Sequence, residues 1–94
     1  MYYVYVLQSL KDSKFYIGFT NNIEDRVKEH NNGKNLSTEL RRPFKLIYYE
    51  AHCEKGDALR REAYFKTTKG KVTIRQVLKE YLSRCKNRAL SSAG

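Results

Sequence analysis

Two short apolar segments separated by a polar stretch place the strongest constraint on the fold of this chain. Residues 2–7 and 15–19 are rich in tyrosine, phenylalanine and β-branched residues, a composition that is typical of strands. The polar residues 11–14 between them indicate a turn. The pattern therefore predicts an antiparallel hairpin at the start of the chain.

Helix and strand signals alternate over the rest of the sequence. Asn21 is expected to cap a first helix, which the polar residues 31–33 end. Ile23, Val27 and His30 fall at i, i+4 and i+7 of this helix and should form its buried stripe. A third strand is predicted at 44–50, a second helix at 55–66, and a third helix capped by Thr73. The order β-β-α-β-α-α indicates an α/β (α+β) fold, in which helices flank a small three-stranded, largely antiparallel sheet.

The length of the chain favours one domain. Its 94 residues, of which 40% are hydrophobic, can bury one modest core. We expect a single domain over residues 1–85 and a basic, flexible tail over residues 86–94. Polar loops are predicted at residues 33–42 and, with a strongly basic character, at residues 67–71.

The positive charge is concentrated in the second half of the sequence. The chain has 19 Lys and Arg against 10 Asp and Glu, a net charge of +9. Residues 1–54 carry 8 basic and 7 acidic side chains, whereas residues 55–94 carry 11 and 3. Either a solvated basic helix or a phosphate-binding surface explains this excess. Nucleic acid is the first candidate partner and an anionic membrane surface the second.

The cysteines and the first residues exclude several classes of protein. Cys53 and Cys85 are too few for a disulfide scaffold, and their spacing does not match a zinc site. Two free thiols in a reducing cytoplasm are expected. The apolar residues 2–7 are too few for a signal peptide or a membrane span.

Glu62 is an acid in an unusual place on the predicted second helix. It shares a helical stripe with the following residues: Ala58, Leu59, Ala63 and Lys66. A carboxylate on an apolar stripe is costly unless it is paired or binds a cation. A Glu62–Lys66 salt bridge and a cation site are therefore both possible explanations.

Five other residues could also belong to a functional site. Tyr5 and Tyr16 lie on adjacent predicted strands, and Gly18 within a strand often marks the close approach of another group. Arg26 and His30 are four residues apart, which places them near each other on one helix face. Each has a structural alternative as well: a core tyrosine, a strand bulge or a solvated helix face.

Taken in order, these residues resemble the GIY-YIG nuclease family. Tyr3-Val4-Tyr5 stands where the family has Gly-Ile-Tyr, and Tyr16-Ile17-Gly18 matches the second half of its name. Arg26 and His30 follow at the spacing of the family, and Glu62 ends the segment 58–62, which resembles its late acidic motif. The resemblance covers residues 2 to about 70. The chain looks most similar to short stand-alone bacterial members, which are similar to the amino-terminal nuclease domain of the excinuclease subunit UvrC.

The resemblance implies a metal-dependent endonuclease that hydrolyses phosphodiester bonds in DNA. Glu62 would hold one Mg²⁺ or Mn²⁺ ion, and Tyr5 or Tyr16 would help to activate the attacking water. Arg26 would bind the phosphate, and His30 would assist proton transfer or contact the phosphate. A structure-directed role in DNA repair or recombination follows, in which a protein partner could supply specificity.

We expect further contacts with the nucleic acid from one glycine and several basic residues. These residues are Gly18, Arg41, Arg42, Lys66, Lys69 and Lys71. DNA is expected rather than RNA, because the sequence lacks the aromatic motifs of RNA-recognition modules.

The sequence departs from the family pattern at two places, and the second favours an alternative. Tyr3 replaces the first glycine, which a strand should tolerate. Residues 71–76 lack the Asn that some members carry after the acidic helix. A nucleic-acid-binding module with the same fold and little or no catalysis is therefore the second hypothesis. The retained Glu62 favours the enzyme, because an acid on a phosphate-facing surface weakens plain binding.

Overall fold

The computed structural model of the protein describes residues 1–85, and the predicted basic tail at 86–94 lies outside the described residues. The elements are β1 (Tyr2–Ser9), β2 (Phe15–Thr20), α1 (Ile23–Asn31), a 3₁₀ turn (Glu39–Arg41), β3 (Phe44–His52), α2 (Lys55–Phe65) and α3 (Thr68–Val77). Residues 79–85 are again helical. The predicted α+β fold is thus confirmed, with this additional helical segment.

The chain divides into two compact units. Residues 1–63 form the first unit, and the second begins at Tyr64. The first unit contains the sheet, α1 and most of α2, whereas the second contains the end of α2 and α3. The expectation of one domain over residues 1–85 stays a prediction.

The sheet has β1 at its centre, in the order β2-β1-β3, with antiparallel pairing on both sides. Tyr5 is paired with Gly18 of β2 and with Tyr49 of β3. A register shift between Val6 and Leu7 interrupts the pairing with β3. Because β1 is covered on both edges and both faces, all of its residues from Val4 onward are buried.

A hydrophobic cluster lies on the face of the sheet that packs against α1. Its buried members are Tyr5, Leu7 and Phe44, and Tyr16, Val27 and Leu46 pack against them. Alternation along β1 and β2 accounts for this set, because residues two apart in a strand point to the same face.

Helix α1 begins one residue later than predicted. Asn22, rather than Asn21, is the cap, and its side-chain oxygen accepts a hydrogen bond from the backbone N–H of Asp25. Either of the two consecutive asparagines can fill this position, and the prediction of Asn21 is wrong by one residue. The helix ends at Asn31, and Gly33 follows with φ of 76°.

Helix α3 differs from its prediction at its start. The expected basic loop at 67–71 is wrong, because Thr67 caps α3 by accepting a hydrogen bond of 3.0 Å from the Gly70 N–H. Thr73, the predicted cap, lies inside the helix. Gly70 is buried where a methyl group would collide with the carbonyl oxygen of Tyr64. The glycine therefore serves a close backbone approach and does not mark a loop.

Candidate functional site

Three predicted site residues contact one another on the α1 face of the sheet. Tyr5 lies on β1, Tyr16 on β2 and His30 on α1. The ring centroids are 6.4 Å apart for Tyr5 and Tyr16, 6.0 Å for Tyr5 and His30, and 4.8 Å for Tyr16 and His30. His30 is completely buried, as its place on the apolar stripe of α1 predicts.

Gly18 makes room for the Tyr5 ring. The two residues are paired across the β1–β2 ladder, and a methyl group at Gly18 would collide with the hydroxyl and the ring of Tyr5. The glycine thus serves the close approach of a side chain from the neighbouring strand. Its expected contact with nucleic acid stays a prediction.

A chain of hydrogen bonds fixes the imidazole of His30. Nδ1 lies 2.8 Å from the Thr38 hydroxyl, and Nε2 lies 3.1 Å from the Tyr5 hydroxyl. The Thr38 hydroxyl donates its proton to the Asn35 carbonyl at 3.3 Å, so it accepts from Nδ1–H of His30. We therefore assign Nε2 as the unprotonated nitrogen, which accepts a hydrogen bond from the Tyr5 hydroxyl.

Burial keeps both partners of this pair neutral. Burial, and then the neighbouring Tyr16 phenol, raise the pKa of Tyr5 well above its usual value, although the positive charge of Arg26 opposes them. Burial also lowers the pKa of His30, and Arg26 lowers it further. At neutral pH the pair is therefore a phenol donating to an uncharged imidazole.

Arg26 acts on Tyr5 and His30 through its charge. It lies on α1 at the half-exposed border of the site and forms an ion pair of 3.5 Å with Glu29, one helical turn away. Its charge lowers the pKa of both Tyr5 and His30, which places the guanidinium within electrostatic range of both groups.

Glu62 is half-buried on α2, and its negative charge raises the pKa of Tyr5. The structure therefore brings this carboxylate within electrostatic range of the Tyr5 phenol. The predicted apolar stripe around it is only partly right. Ala58 is buried, whereas Leu59 and Ala63 are exposed.

The residues present fit a single divalent cation held by one carboxylate. Within residues 1–85, no group of three or more His, Cys, Asp or Glu side chains is arranged to hold a metal ion. Mg²⁺ is commonly bound through one or two carboxylates, with water and substrate phosphates as the other ligands. Glu62 could supply that carboxylate oxygen.

Two residues that sequence reasoning missed support the site. Thr38 is completely buried behind His30, although it lies in a stretch that reads as a polar loop. Glu50 on β3 accepts hydrogen bonds of 2.9 Å and 3.1 Å from Arg61, the residue that precedes Glu62. No local sequence signal links either residue to its partner.

The predicted phosphate-binding residues lie in different environments. Arg41 forms an ion pair of 2.9 Å with Asp12 and lies 5.5 Å from the centre of the Phe44 ring. Arg42 is exposed and donates to the Glu39 carbonyl. The remaining three are exposed in the second compact unit: Lys66, Lys69 and Lys71.

The structure can be compared with the predictions that the sequence makes about membrane spans and disulfides. In the described part of the chain, no helix is both long and apolar enough to cross a membrane. Cys53 and Cys85 do not form a disulfide.

Comparison with known proteins identifies the class to which this fold and site belong. The model of the GIY-YIG catalytic domain matches residues 1–76, so the chain belongs to the GIY-YIG family, which is a family of nucleases.

Its relatives include several UPF0213 proteins. The chain is 48% identical over 66 residues to one from Bacillus licheniformis, which covers 69% of this chain and 67% of that protein. It is 48% identical over 67 residues to one from Clostridium perfringens, covering 70% and 71%. The solution NMR structure of a UPF0213 protein from Bacillus halodurans matches with a TM-score of 0.51 and 33% identity, covering 82% of this chain and 85% of that one.

Proposed function

We propose that this protein is an endonuclease that hydrolyses phosphodiester bonds in DNA, and that Tyr5, Tyr16, Arg26, His30 and Glu62 carry the reaction. The observation that supports it best is the Tyr5–His30 hydrogen bond of 3.1 Å. It joins a buried phenol to a neutral imidazole whose other nitrogen is bound to a buried threonine. Any buried phenol needs a hydrogen-bond acceptor, and here the acceptor is an imidazole nitrogen, which can also take up the proton.

The pair can move a proton away from an attacking water. The water gives its proton to the Tyr5 oxygen while the Tyr5 proton passes to Nε2 of His30. The resulting hydroxide attacks phosphorus, and the leaving oxygen takes a proton from solvent. His30 then gives its extra proton back through Tyr5 to solvent, so the pair returns to its starting state. Because the phenol gives and receives a proton together, Tyr5 acts without becoming a free phenolate, which its raised pKa disfavours.

The charged residues act on the phosphate. Arg26 can bind two phosphate oxygens through its planar guanidinium and stabilise the charge that grows on five-coordinate phosphorus. Glu62 would hold one Mg²⁺ or Mn²⁺ ion, which would supply charge neutralisation at the phosphate when bound. Tyr16 packs against His30 with the rings at 60°, so it orients the imidazole.

The charge of the chain supports a DNA partner, and its cysteines support a cytoplasmic location. The net charge of +9 favours an extended polyanion, and the exposed lysines Lys66, Lys69 and Lys71 would contact the DNA backbone together with Arg41 and Arg42. Two unpaired cysteines suit a reducing cytoplasm. We propose a role in DNA repair or recombination, in which a protein partner could direct the enzyme to its site.

A cleavage assay tests the proposal. Plasmid and branched DNA are incubated with the protein and Mg²⁺ or Mn²⁺, beside Tyr5→Phe, Tyr16→Phe and Glu62→Gln. Tyr5→Phe removes the proton relay, so cleavage should fall by about 10²–10⁴-fold, the usual contribution of general acid–base catalysis. Glu62→Gln removes the proposed metal ligand, so the metal-dependent cleavage should be lost.

The matched control is Glu54→Gln, which changes an exposed acid near the start of the same helix. It should cut like the wild type. If the wild-type protein binds DNA but cuts none of these substrates with either metal, the protein is a binding module and the catalytic proposal is wrong.

A further inference from the structure

A cavity beside the candidate site has no part in the proposed reaction. It lies in the first compact unit, has a volume of about 570 Å³ and is lined by Tyr3, Leu46, Tyr49, Asn21 and Glu24, among others. This volume is within the range of small-molecule sites, roughly 300–1,000 Å³. Tyr3 is also the residue that replaces the first glycine of the family motif.

Tyr49 presents an exposed aromatic ring at this cavity. Tyr49 lies on the edge strand β3 and is 52% exposed, so its ring is accessible to a ligand. Tyr3 packs against it edge to face, with ring centroids 5.9 Å apart and planes at 68°. The Tyr3 ring thus fixes the orientation of Tyr49, and a fixed, accessible aromatic ring is a platform for stacking.

The platform is adjacent to the candidate catalytic residues. Tyr49 is the direct partner of Tyr5 in the β1–β3 ladder, and neighbouring strands are about 4.8 Å apart. A nucleotide whose phosphate lies at Tyr5 therefore has its base within reach of Tyr49.

The charge of the cavity selects a base over a phosphate. Of the lining residues that the structure describes, Glu24 is the charged one, and its carboxylate repels a phosphate group. Carboxylates accept hydrogen bonds from the amino groups of bases, and the amide of Asn21 can both donate and accept.

We propose that this cavity binds an unpaired base of a DNA strand, stacked on Tyr49, next to the phosphate that is cleaved. The proposal rests on the proposed function, because it assumes a DNA substrate at Tyr5. A paired base has neighbours on both faces and its edge occupied, so it cannot enter. The substrate class is accordingly DNA with an unpaired segment at the cleavage point.

The test is a binding measurement without divalent metal, which separates it from cleavage. The probe is a duplex with a short single-stranded arm that contains 2-aminopurine, whose fluorescence falls when it stacks. The fully paired duplex is the comparison. The wild type should bind the duplex with the single-stranded arm more tightly than the fully paired duplex and should quench its fluorescence. Tyr49→Ala should weaken this binding by about 5- to 150-fold, the effect of losing one stacked base.

Two further variants separate stacking from folding. Tyr49→Phe retains an aromatic ring and should keep the quenching. Leu36→Ala, which truncates a residue that is 86% exposed and does not line the cavity, should bind both DNAs like the wild type. A thermodynamic cycle that combines Tyr49→Ala with abasic DNA completes the test. Abasic nucleotides in the arm should weaken wild-type binding, and Tyr49→Ala should then cause no additional loss.

The results discriminate between the two proposals. The stacking proposal is overturned if the wild type and Tyr49→Ala bind the duplex with the single-stranded arm equally well. It is also overturned if the losses in the cycle add, or if the wild type binds neither DNA. A wild type that cuts DNA without Tyr49-dependent binding overturns the stacking proposal alone. Tyr49-dependent binding without cleavage overturns the nuclease proposal and supports the base site.

Discussion

Replacing Glu50 with glutamine tests how α2 is held on the sheet. The Glu50 carboxylate accepts two hydrogen bonds from Arg61 and one of 2.8 Å from the Tyr48 hydroxyl. Glutamine keeps the size of the side chain but loses the negative charge and turns one acceptor into a donor. At least one of the two partners then faces an N–H group in place of an oxygen.

The expected cost follows from the exposure of the pair. The Glu50 side chain is 18% exposed and that of Arg61 is 35% exposed, so solvent screens the interaction in part. Hydrogen bonds to charged groups contribute about 1.5–3 kcal/mol, and we take the lower half of that range, about 1.5–2 kcal/mol. For a domain of this size the melting temperature should fall by about 6–15 °C.

The pH dependence of the loss identifies its cause. Burial raises the pKa of Glu50, but hydrogen bonds from Arg61 and Tyr48 outweigh it and hold the pKa below its usual value. His52 also faces the carboxylate, with Nε2 3.4 Å from Oε1. A carboxylate with a lowered pKa stabilises the fold above its unfolded pKa of about 4.3, and this is lost as the pH falls through the folded pKa.

Thermal unfolding followed by circular dichroism provides the measurement. The difference between the wild type and Glu50→Gln should be largest near pH 7 and should shrink below about pH 4.3. Arg61→Gln and the double variant complete a cycle, in which the two losses should not add. A melting temperature of Glu50→Gln equal to that of the wild type would refute the reasoning, as would a difference that is the same at pH 3 and pH 7.

Three further predictions concern the rings of the site. Thr38→Val removes the acceptor of His30 Nδ1–H, so stability should fall by about 1–3 kcal/mol in chemical denaturation, and Thr38→Ser should restore it. Gly18→Ala forces a methyl group against the Tyr5 ring; this should cost about 1–3 kcal/mol and lower the cleavage rate, and unchanged stability would contradict the packing argument. Because His30 must be neutral to accept a proton and its pKa is lowered, the acid limb of kcat/KM against pH should lie below 6.5.

Strand and helix periodicity in the sequence is sufficient to predict part of the candidate site. The hairpin places Tyr5 beside Gly18 because both lie in short alternating segments joined by a turn. His30 is buried because it continues the apolar stripe of α1 one turn after Val27. These positions depend on spacing along the chain alone, and the structure agrees with them.

Tertiary contacts decided the parts that the sequence could not predict. Thr67 and Thr73 have equal capping ability, and the tight approach of Gly70 to the Tyr64 backbone accompanies capping by Thr67. Thr38 looks like any polar loop residue until the loop is laid against His30. The apolar stripe of α2 was assigned too broadly, because Leu59 is 41% exposed.

Glu62 is an acid in the basic half of the chain, and its position depends on Arg61, the residue before it. Successive residues of a helix point about 100° apart, so Arg61 and Glu62 face different directions. The ion pair between Arg61 and Glu50 fixes the rotation of α2 about its own axis. Glu62 is then held half-buried, where its charge acts on the Tyr5 phenol. A carboxylate in that position weakens the binding of a phosphate by its own charge, and the proposed metal ion would offset that charge.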